Sequence, residues 1–586
     1  MTPLPEFGSL IARDYADLGL AVGLEVHQQL LTEKKLFCRC LAGRRSRRWD
    51  ARILRHMRPT LSELGEVDAT ALMEFKTRKQ ILYHLDKETV CTYEMDDAPP
   101  FPLNGQALDI AMELALLLDM MPVDELHVIR KQFLDGSIPA GFQRTALIGV
   151  DGSVPVGEGR LGIRQLGLEE DSCRELSDEG HWRTFATDRL GTPLVEIVTE
   201  PHLRTPDEAV RAAQAIRRLT RATGRVRRGI GAARQDVNVS IAGGARVEIA
   251  GVPRIPAIAH LVHNEAFRQK GLLAIRDALR SRRVDAADWA APRAEVTGLL
   301  GNCEYAPVRH ALEHGETVGA VLLPGFAGLL TRELQPGAWF LQEFIDRVRV
   351  VACLDRRPNL VCSEQLGDGP GLMEWNRVRQ VLGGPPEAPV LLVWGHPRDV
   401  ETALAEVELR AREALAGVPA ETRQALPDGT TGFERVLPGP ERMYPDTDLP
   451  PLVLDAGSWE HVRERMATPP WILDERLAAR GLGPELRGQL VAQGRAGAFL
   501  DLAPESPDPV RLAFLLTAHW RRLEREGLAM PDPAGLAGTG VLDAAPRDED
   551  LPRLRAWVRS GGRAPVPAGA ATRAGAGADP GREEAP

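Results

Sequence analysis

The chain has 586 residues, of which 44% are hydrophobic and 26% charged, and its formal net charge is −10. These proportions exclude a fibrous or wholly disordered protein, and the length exceeds what one hydrophobic core usually serves. No run of about 18 apolar residues occurs, and the N-terminus has no basic region followed by an apolar stretch, so neither a membrane span nor a signal peptide is expected and the cytoplasm is the expected compartment.

In chain order, the first informative segment is "GLEVHQQL", Gly23 to Leu30. Leu24 and Val26 alternate with Glu25, His27 and Gln29, which predicts a strand with one apolar and one polar face. Cys38 and Cys40 then form a C-x-C, and Cys91 follows about fifty residues on. Seven cysteines are too few for a disulfide framework in a chain this long. Three thiolates could instead hold zinc, with His56, Glu94 or Asp96 as fourth ligand; free thiols are the alternative. "RRSRR" (Arg44 to Arg48) is a first basic cluster, and "ALDIAMELALLLDMM" (Ala107 to Met121) has helical spacing.

"IRQLGLEEDS" ends an alternating run with Glu169, Glu170 and Asp171. "TPLVEIVTE" alternates Val195, Ile197 and Thr199 with Glu196, Val198 and Glu200. A helix is predicted from Pro206 and Asp207 onward. A second basic cluster spans Ala215 to Arg234 and includes Arg225, Arg227, Arg228 and Arg234; it reads as a polyanion-binding patch or as a solvated helix face with a loop. "RQDVNVSI" then sets Asp236, Asn238 and Ser240 against an apolar face, and Glu248 lies between Val247 and Ile249.

A change of texture marks 285–417, where Gly and Pro recur and short strands alternate with helices, as expected of an inserted α+β module. The residues on either side, 1–284 and 418–458, form one body; 459–560 reads as short helices, and the Gly/Ala/Pro-rich 561–586 as a disordered tail.

At least four predicted strands set a carboxylate opposite an apolar face. If they share a sheet, the acids and His27 converge on one surface, where like charges persist mainly around a divalent cation. Oxygen ligands with one histidine favour magnesium or manganese over zinc, and magnesium is commonly shared with substrate phosphates, so ATP chemistry follows. Unrelated solvent-facing strands are the alternative. No Walker A sequence occurs, so a nucleotide would be held through metal and arginine.

The segments "GLEVHQQL", "LFCRC", "RPTLSELGEVD", "RKQFLDGSIPAGFQRT", "LEEDS", "DRLGTPLVEIVTEP", "RRGIGAARQDVNVSI", "GARVEIAGV", "LLPGFAGLLTRE" and "RMYPDTDLPP" resemble, in order over roughly residues 20 to 455, the GatB/GatE family of tRNA-dependent amidotransferases, and within it the GatE branch. The resemblance implies an α+β fold: a glutamine-synthetase-like antiparallel-sheet cradle, an inserted domain similar to that of bacterial aspartyl-tRNA synthetases, and a C-terminal helical tRNA-binding region. It implies ATP and magnesium as cofactors, Glu-tRNA(Gln) as substrate, and a GatD-like amidase as partner in a dimer of heterodimers. The implied activity is phosphorylation of the glutamyl carboxylate, followed by displacement of phosphate by ammonia from the partner. By the same resemblance Glu25, His27, Glu169, Glu170 and Glu196 are catalytic, with Glu25, His27, Glu169 and Glu196 around magnesium. Arg225, Arg227, Arg228, Arg234, Asp236, Asn238 and Glu248 are then ATP- or tRNA-binding. Two departures matter: Ala250 stands where the family usually has lysine, and the helical tail is curtailed. They leave a catalytically weakened tRNA-binding scaffold as the rival reading; a metal-dependent nuclease using the same acids is a third.

Overall fold

The computed structural model describes residues 4–61, 65, 67–365, 369–537, 539, 541 and 550–562. The expected disordered tail lies outside the described residues from 563 onward, as does most of the "SELG" segment. The chain divides into two compact units, Met1–Ala215 with Arg227–Val462, and Ile216–Val226 with Arg463–Pro586.

The first unit is built on an eleven-stranded sheet. Ten of its strands are β1 (Ala21–Gln29), β2 (Val128–Gln132), β3 (Phe142–Val156), β4 (Gly159–Glu170), β5 (Pro193–Thr199), β6 (Ala233–Ser240), β7 (Val247–Val252), β8 (Glu421–Ala425), β9 (Thr431–Val436) and β10 (Met443–Pro445). They run in the order β9-β8-β7-β6-β1-β5-β4-β3-β2-β10, and Met121–Pro122 pairs with β3 off this path. All pairings are antiparallel except β7 with β8. Along β1, Val22, Leu24 and Val26 are buried on one face and Gly23 and His27 on the other, so the strand is covered on both sides.

Helix α1 (Gly105–Leu117) packs on β3 and β4, and Asn104 caps it by accepting from Gln106 N and Ala107 N. It ends four residues short of the predicted Met121, because Asp119 turns to φ 56° and Met121 joins the sheet. Helix α2 (Pro206–Ala222) carries Asp207 and Glu208 in its first turn, where they offset the helix dipole. Helix α3 (Ala257–Ser281) lies against β6.

Between β7 and β8 the chain forms a second, antiparallel sheet of Arg293–Glu295, Thr317–Leu322, Val390–Gly395 and Leu360–Cys362, in that spatial order. Helices α4 (Phe340–Val351) and α5 (Pro397–Ala416) pack with it. Phe340, Phe344, Val393 and Val407 share one core with Leu272, Ile275 and Leu279 of α3. Beside that core lies a buried ion network. Arg268 on α3 donates to Glu265 at 2.9 Å, to both oxygens of Glu343 at 2.9 and 3.0 Å, and to Glu421 on β8. Arg410 reaches Glu343 at 3.3 Å, and Arg423 contacts Glu343 and Glu421.

The second unit is helical: Pro470–Ala478, Pro484–Ala492, Ala496–Leu502, Pro509–Phe514, Trp520–Arg525 and Asp550–Arg559 surround Leu477, Leu490, Phe499, Leu516, Trp520 and Trp557. A π-helical turn at Leu515–His519 separates Pro509–Phe514 from Trp520–Arg525.

Candidate active site

Strand registry decides which acids meet. His27 is directly opposite Glu196 across β1 and β5, Glu25 is opposite Asp236 across β1 and β6, and Asn238 is opposite Glu248 across β6 and β7. Glu169 pairs with Leu194 on β5 and Thr145 on β3. Residues two apart share a face, so five strands deliver their polar side chains to one surface. There they line a cavity of about 260 Å³ with Glu25, His27, Glu169, Glu196, Arg234, Asp236 and Glu248 in its wall.

Within it, His27 Nε2 lies 3.3 Å from Glu196 Oε1, and its Nδ1 lies 3.6 Å from Asp236 Oδ2. Thr145 Oγ1 donates to Glu169 Oε1 at 2.8 Å, and Asn238 Nδ2 to Glu25 Oε1 at 2.9 Å. Lys131 Nζ contacts Glu169 Oε1 and lies 3.4 Å from Glu196 Oε2, so one ammonium bridges two buried carboxylates. Burial and Arg234 pull the His27 pKa down, but Asp236 and Glu196 outweigh them and carry it up to about 9. Burial, then the like charges of Glu196, Glu248 and Asp236, push Glu25 up to about 7. Burial also opposes ionisation of Glu196, yet Lys131 and His27 hold its pKa well below the ordinary carboxylate value.

His27, Glu169 and Glu196 each present a ligand atom within 4.8 Å of the others. Among the described residues this is one of two such groups, and its buried His27 Nδ1 has no hydrogen-bond partner. An imidazole with two carboxylates suits magnesium or manganese, and the Lys131 ammonium already occupies the position of a compensating cation. The donor set therefore fits the expected ion. Glu25 stands one strand repeat away and outside this tight group.

Not every expected residue faces the cavity. Glu170 follows Glu169 and points to the opposite side of β4, where Tyr93 Oη donates to it at 2.7 Å and Arg144 N at 3.2 Å. Arg227 turns away and donates to Thr32 O at 2.7 Å, while Arg234 reaches Asp171 at 3.2 Å in the cavity wall. Arg228 is not among the lining residues, and Arg225 belongs to the second unit.

Lys131, Arg435 and Arg442 in the cavity wall were not singled out by the sequence. Arg435 comes from β9 and lies 3.6 Å from Glu248. Lys131 sits in "VIRKQ", where no alternation marks it; its one signal is membership of the "RKQFLDGSIPAGFQRT" segment. Asp135, Glu434 and Arg435 also line a second cavity of about 460 Å³, walled by charged side chains that include Glu74, Lys79 and Asp178.

The other metal-capable group is Cys38, Cys40, Cys91 and Glu94, again within 4.8 Å of one another. Lys35 Nζ donates to Glu94 Oε1 at 2.8 Å and leaves the buried Oε2 without a partner. Three sulfurs and that oxygen match a tetrahedral zinc set. His56 and Asp96, the other expected fourth ligands, are not part of it.

An imidazole, buried carboxylates and several cations thus meet in one cavity on the polar face of the large sheet. Residues 20–460 match the GatB/GatE catalytic domain family, to which the chain belongs. It is 40% identical over 524 residues to the E subunit of the glutamyl-tRNA(Gln) amidotransferase of Methanocaldococcus jannaschii, covering 88% of this chain and 81% of that one. It is 42% identical over 527 residues to the corresponding protein of Methanopyrus kandleri and 38% over 522 residues to that of Aeropyrum pernix, with the same shares of each chain covered.

Proposed function

We propose that this chain is the activating component of a glutamyl-tRNA(Gln) amidotransferase. It transfers the terminal phosphoryl group of ATP to the side-chain carboxylate of the glutamyl ester on tRNA(Gln). Ammonia then attacks the acyl carbon and phosphate leaves, giving the glutaminyl ester. A carboxylate is a poor electrophile until phosphate supplies a leaving group. The observation that carries this reading is the convergence of His27, Glu169 and Glu196 beside Lys131, Arg234, Arg435 and Arg442 in one cavity.

Magnesium bound by His27, Glu169 and Glu196 would neutralise the triphosphate and the charge developing at the transferred group. Lys131, beside Glu169 and Glu196, would orient phosphate oxygens together with Arg435 and Arg442, and Asn238 would hold Glu25. These cations favour catalysis over the scaffold reading despite Ala250. Burial of the acids would keep competing water out of the acyl phosphate's surroundings.

The chain has no Ser–Lys, Cys–His–Glu or Thr-based signature for releasing ammonia from an amide, so a separate GatD-like amidase would supply it, in a dimer of heterodimers. The charged cavity that shares Asp135, Glu434 and Arg435 with the active site supports a sheltered approach for ammonia. The sheet would form the glutamine-synthetase-like cradle, residues 285–417 the inserted domain, 459–560 the helical tRNA-binding region, and the thiol group a structural zinc site.

The test uses ammonium in place of the partner, with ATP, magnesium and Glu-tRNA(Gln). Glu196→Gln keeps the shape and removes one charge, and should lower glutaminyl ester formation by about a hundredfold or more while tRNA binding persists. Wild-type turnover by this variant would refute the assignment.

A further inference from the structure

The thiol group and the acidic cavity lie on different elements, yet one side chain joins them. Tyr93 sits between Cys91 and Glu94 in a single turn and is 6% exposed. Its hydroxyl donates to Glu170 Oε1 at 2.7 Å and accepts from Arg144 Nη1 at 3.2 Å. Glu170 is itself buried, and its second oxygen accepts from Arg144 N at 3.2 Å. The residue before it is Glu169, whose carboxylate turns into the cavity. A strand is stiff over one residue, so displacement of Glu170 tilts Glu169.

A second tie runs in parallel. Leu36 N donates to Gly191 O at 2.9 Å, and Gly191 N to Asp171 O at 2.8 Å, which fixes the C-x-C loop to the segment leading into β5 and Glu196. Gly191 has φ 70°, and a Cβ there would lie 2.6 Å from Glu94 Oε1, so the thiol turn packs directly on that loop. Both acid-bearing strands thus begin or end on the floor made by the thiol group.

We infer that Tyr93 is a positioning residue for the cation site, coupling the thiol group to Glu169 through Glu170. This rests on the reading that His27, Glu169 and Glu196 hold magnesium. Partners behind a metal ligand commonly change metal affinity by about ten- to a hundredfold when removed.

The experiment compares Tyr93→Phe with Tyr83→Phe. Tyr83 is also buried, and its hydroxyl donates to the backbone Gly136 O at 2.6 Å and to no member of either metal-capable group. Two readouts are taken: the rise in melting temperature on adding magnesium, which needs no turnover, and the magnesium dependence of ammonium-driven amidation. Tyr93→Phe should need about tenfold more magnesium in both, with the saturated rate within about twofold of wild type. Tyr83→Phe should lower the melting temperature without moving the magnesium requirement. Cys91→Ser should raise that requirement in the wild-type background and add nothing to Tyr93→Phe. A Tyr93→Phe protein with a wild-type magnesium response, or Cys91→Ser and Tyr93→Phe effects that multiply, overturns the inference. Glu169→Gln separates the two readings: if it loses the magnesium response and Tyr93→Phe keeps it, the coupling alone is wrong. If Glu169→Gln keeps it, the cation site is misplaced and the coupling falls with it.

Discussion

Arg268→Met deletes the cation at the centre of the buried network while nearly preserving volume. In the wild type, Arg268 serves Glu265, Glu343 and Glu421, all buried, through four hydrogen bonds. Arg347, Arg410 and Arg423 remain in the variant, but Glu343 loses its bidentate partner and Glu265 its ion pair. Removing one member of a buried ion pair costs about 3–5 kcal/mol, because the partner stays desolvated and uncompensated. A fall in melting temperature on the order of 10 °C is expected.

The loss should also depend on pH. Burial opposes ionisation of Glu343 and Glu421, but the arginines hold both pKa values below the ordinary one, so their contribution is present above that value and lost on acidification. Burial already raises the Glu265 pKa against the pull of Arg268, so without Arg268 it rises further and the folded variant takes up a proton that the unfolded chain does not. Its deficit relative to wild type should therefore be widest near pH 8 and shrink toward pH 5. Thermal denaturation of both proteins across that range is the assay. A deficit under about 1 kcal/mol, or one independent of pH, would refute the reasoning.

Three further outcomes are expected. Tyr15 Oη lies 2.9 Å from His263 Nδ1, and His263 Nε2 lies 2.9 Å from Pro5 O. Burial lowers the His263 pKa, with the Pro5 carbonyl opposing and His260 assisting, so stability it contributes above the ordinary histidine value is lost as pH falls below it; His263→Gln should flatten the melting curve's dependence between pH 7 and 5.5, about the histidine range. Zinc removal by a strong chelator should lower the melting temperature of wild type but not of a Cys38→Ser, Cys91→Ser variant, as measured by calorimetry with metal analysis. Arg227→Gln with Arg228→Gln should weaken tRNA binding and reduce the slope of log affinity against log salt by about one for each phosphate no longer neutralised; an unchanged slope assigns these arginines to ordinary surface.

Much of the sheet was legible because its polar face shows in the residue pattern. Glu25 and His27, Glu196, and Asp236 and Asn238 each alternate with buried aliphatic residues, and antiparallel registry then placed them across from one another. The same rule separates Glu169 from Glu170: adjacent residues on a strand face opposite ways, so a tandem of acids can offer only one to the cavity. Lys131 and Arg435 were not legible, since no period marks them and their meeting depends on pairings between strands far apart in the chain. Arg268, Arg410 and Arg423 carry no mark in the residue pattern either. Their burial follows from the inserted module packing on α3, which no local pattern reveals.

Strand β7 pairs with β8 in the parallel sense, Glu248 with Thr422 and Ile249 with Arg423, and the whole module intervenes. On a ribosome, β7 emerges with its outer edge bare. At about 5–20 residues per second, on the order of 10–30 seconds pass before Glu421 is made. During that interval the unpaired N–H and C=O groups of β7 are open to any strand that arrives first. The module fills the wait: its own sheet and the Leu272–Ile275 core can close as a unit before β8 appears, delivering that strand already aimed at its neighbour. Severing the module would thus do more than remove a domain, because it would take away the guide that brings the last wall of the active-site sheet home.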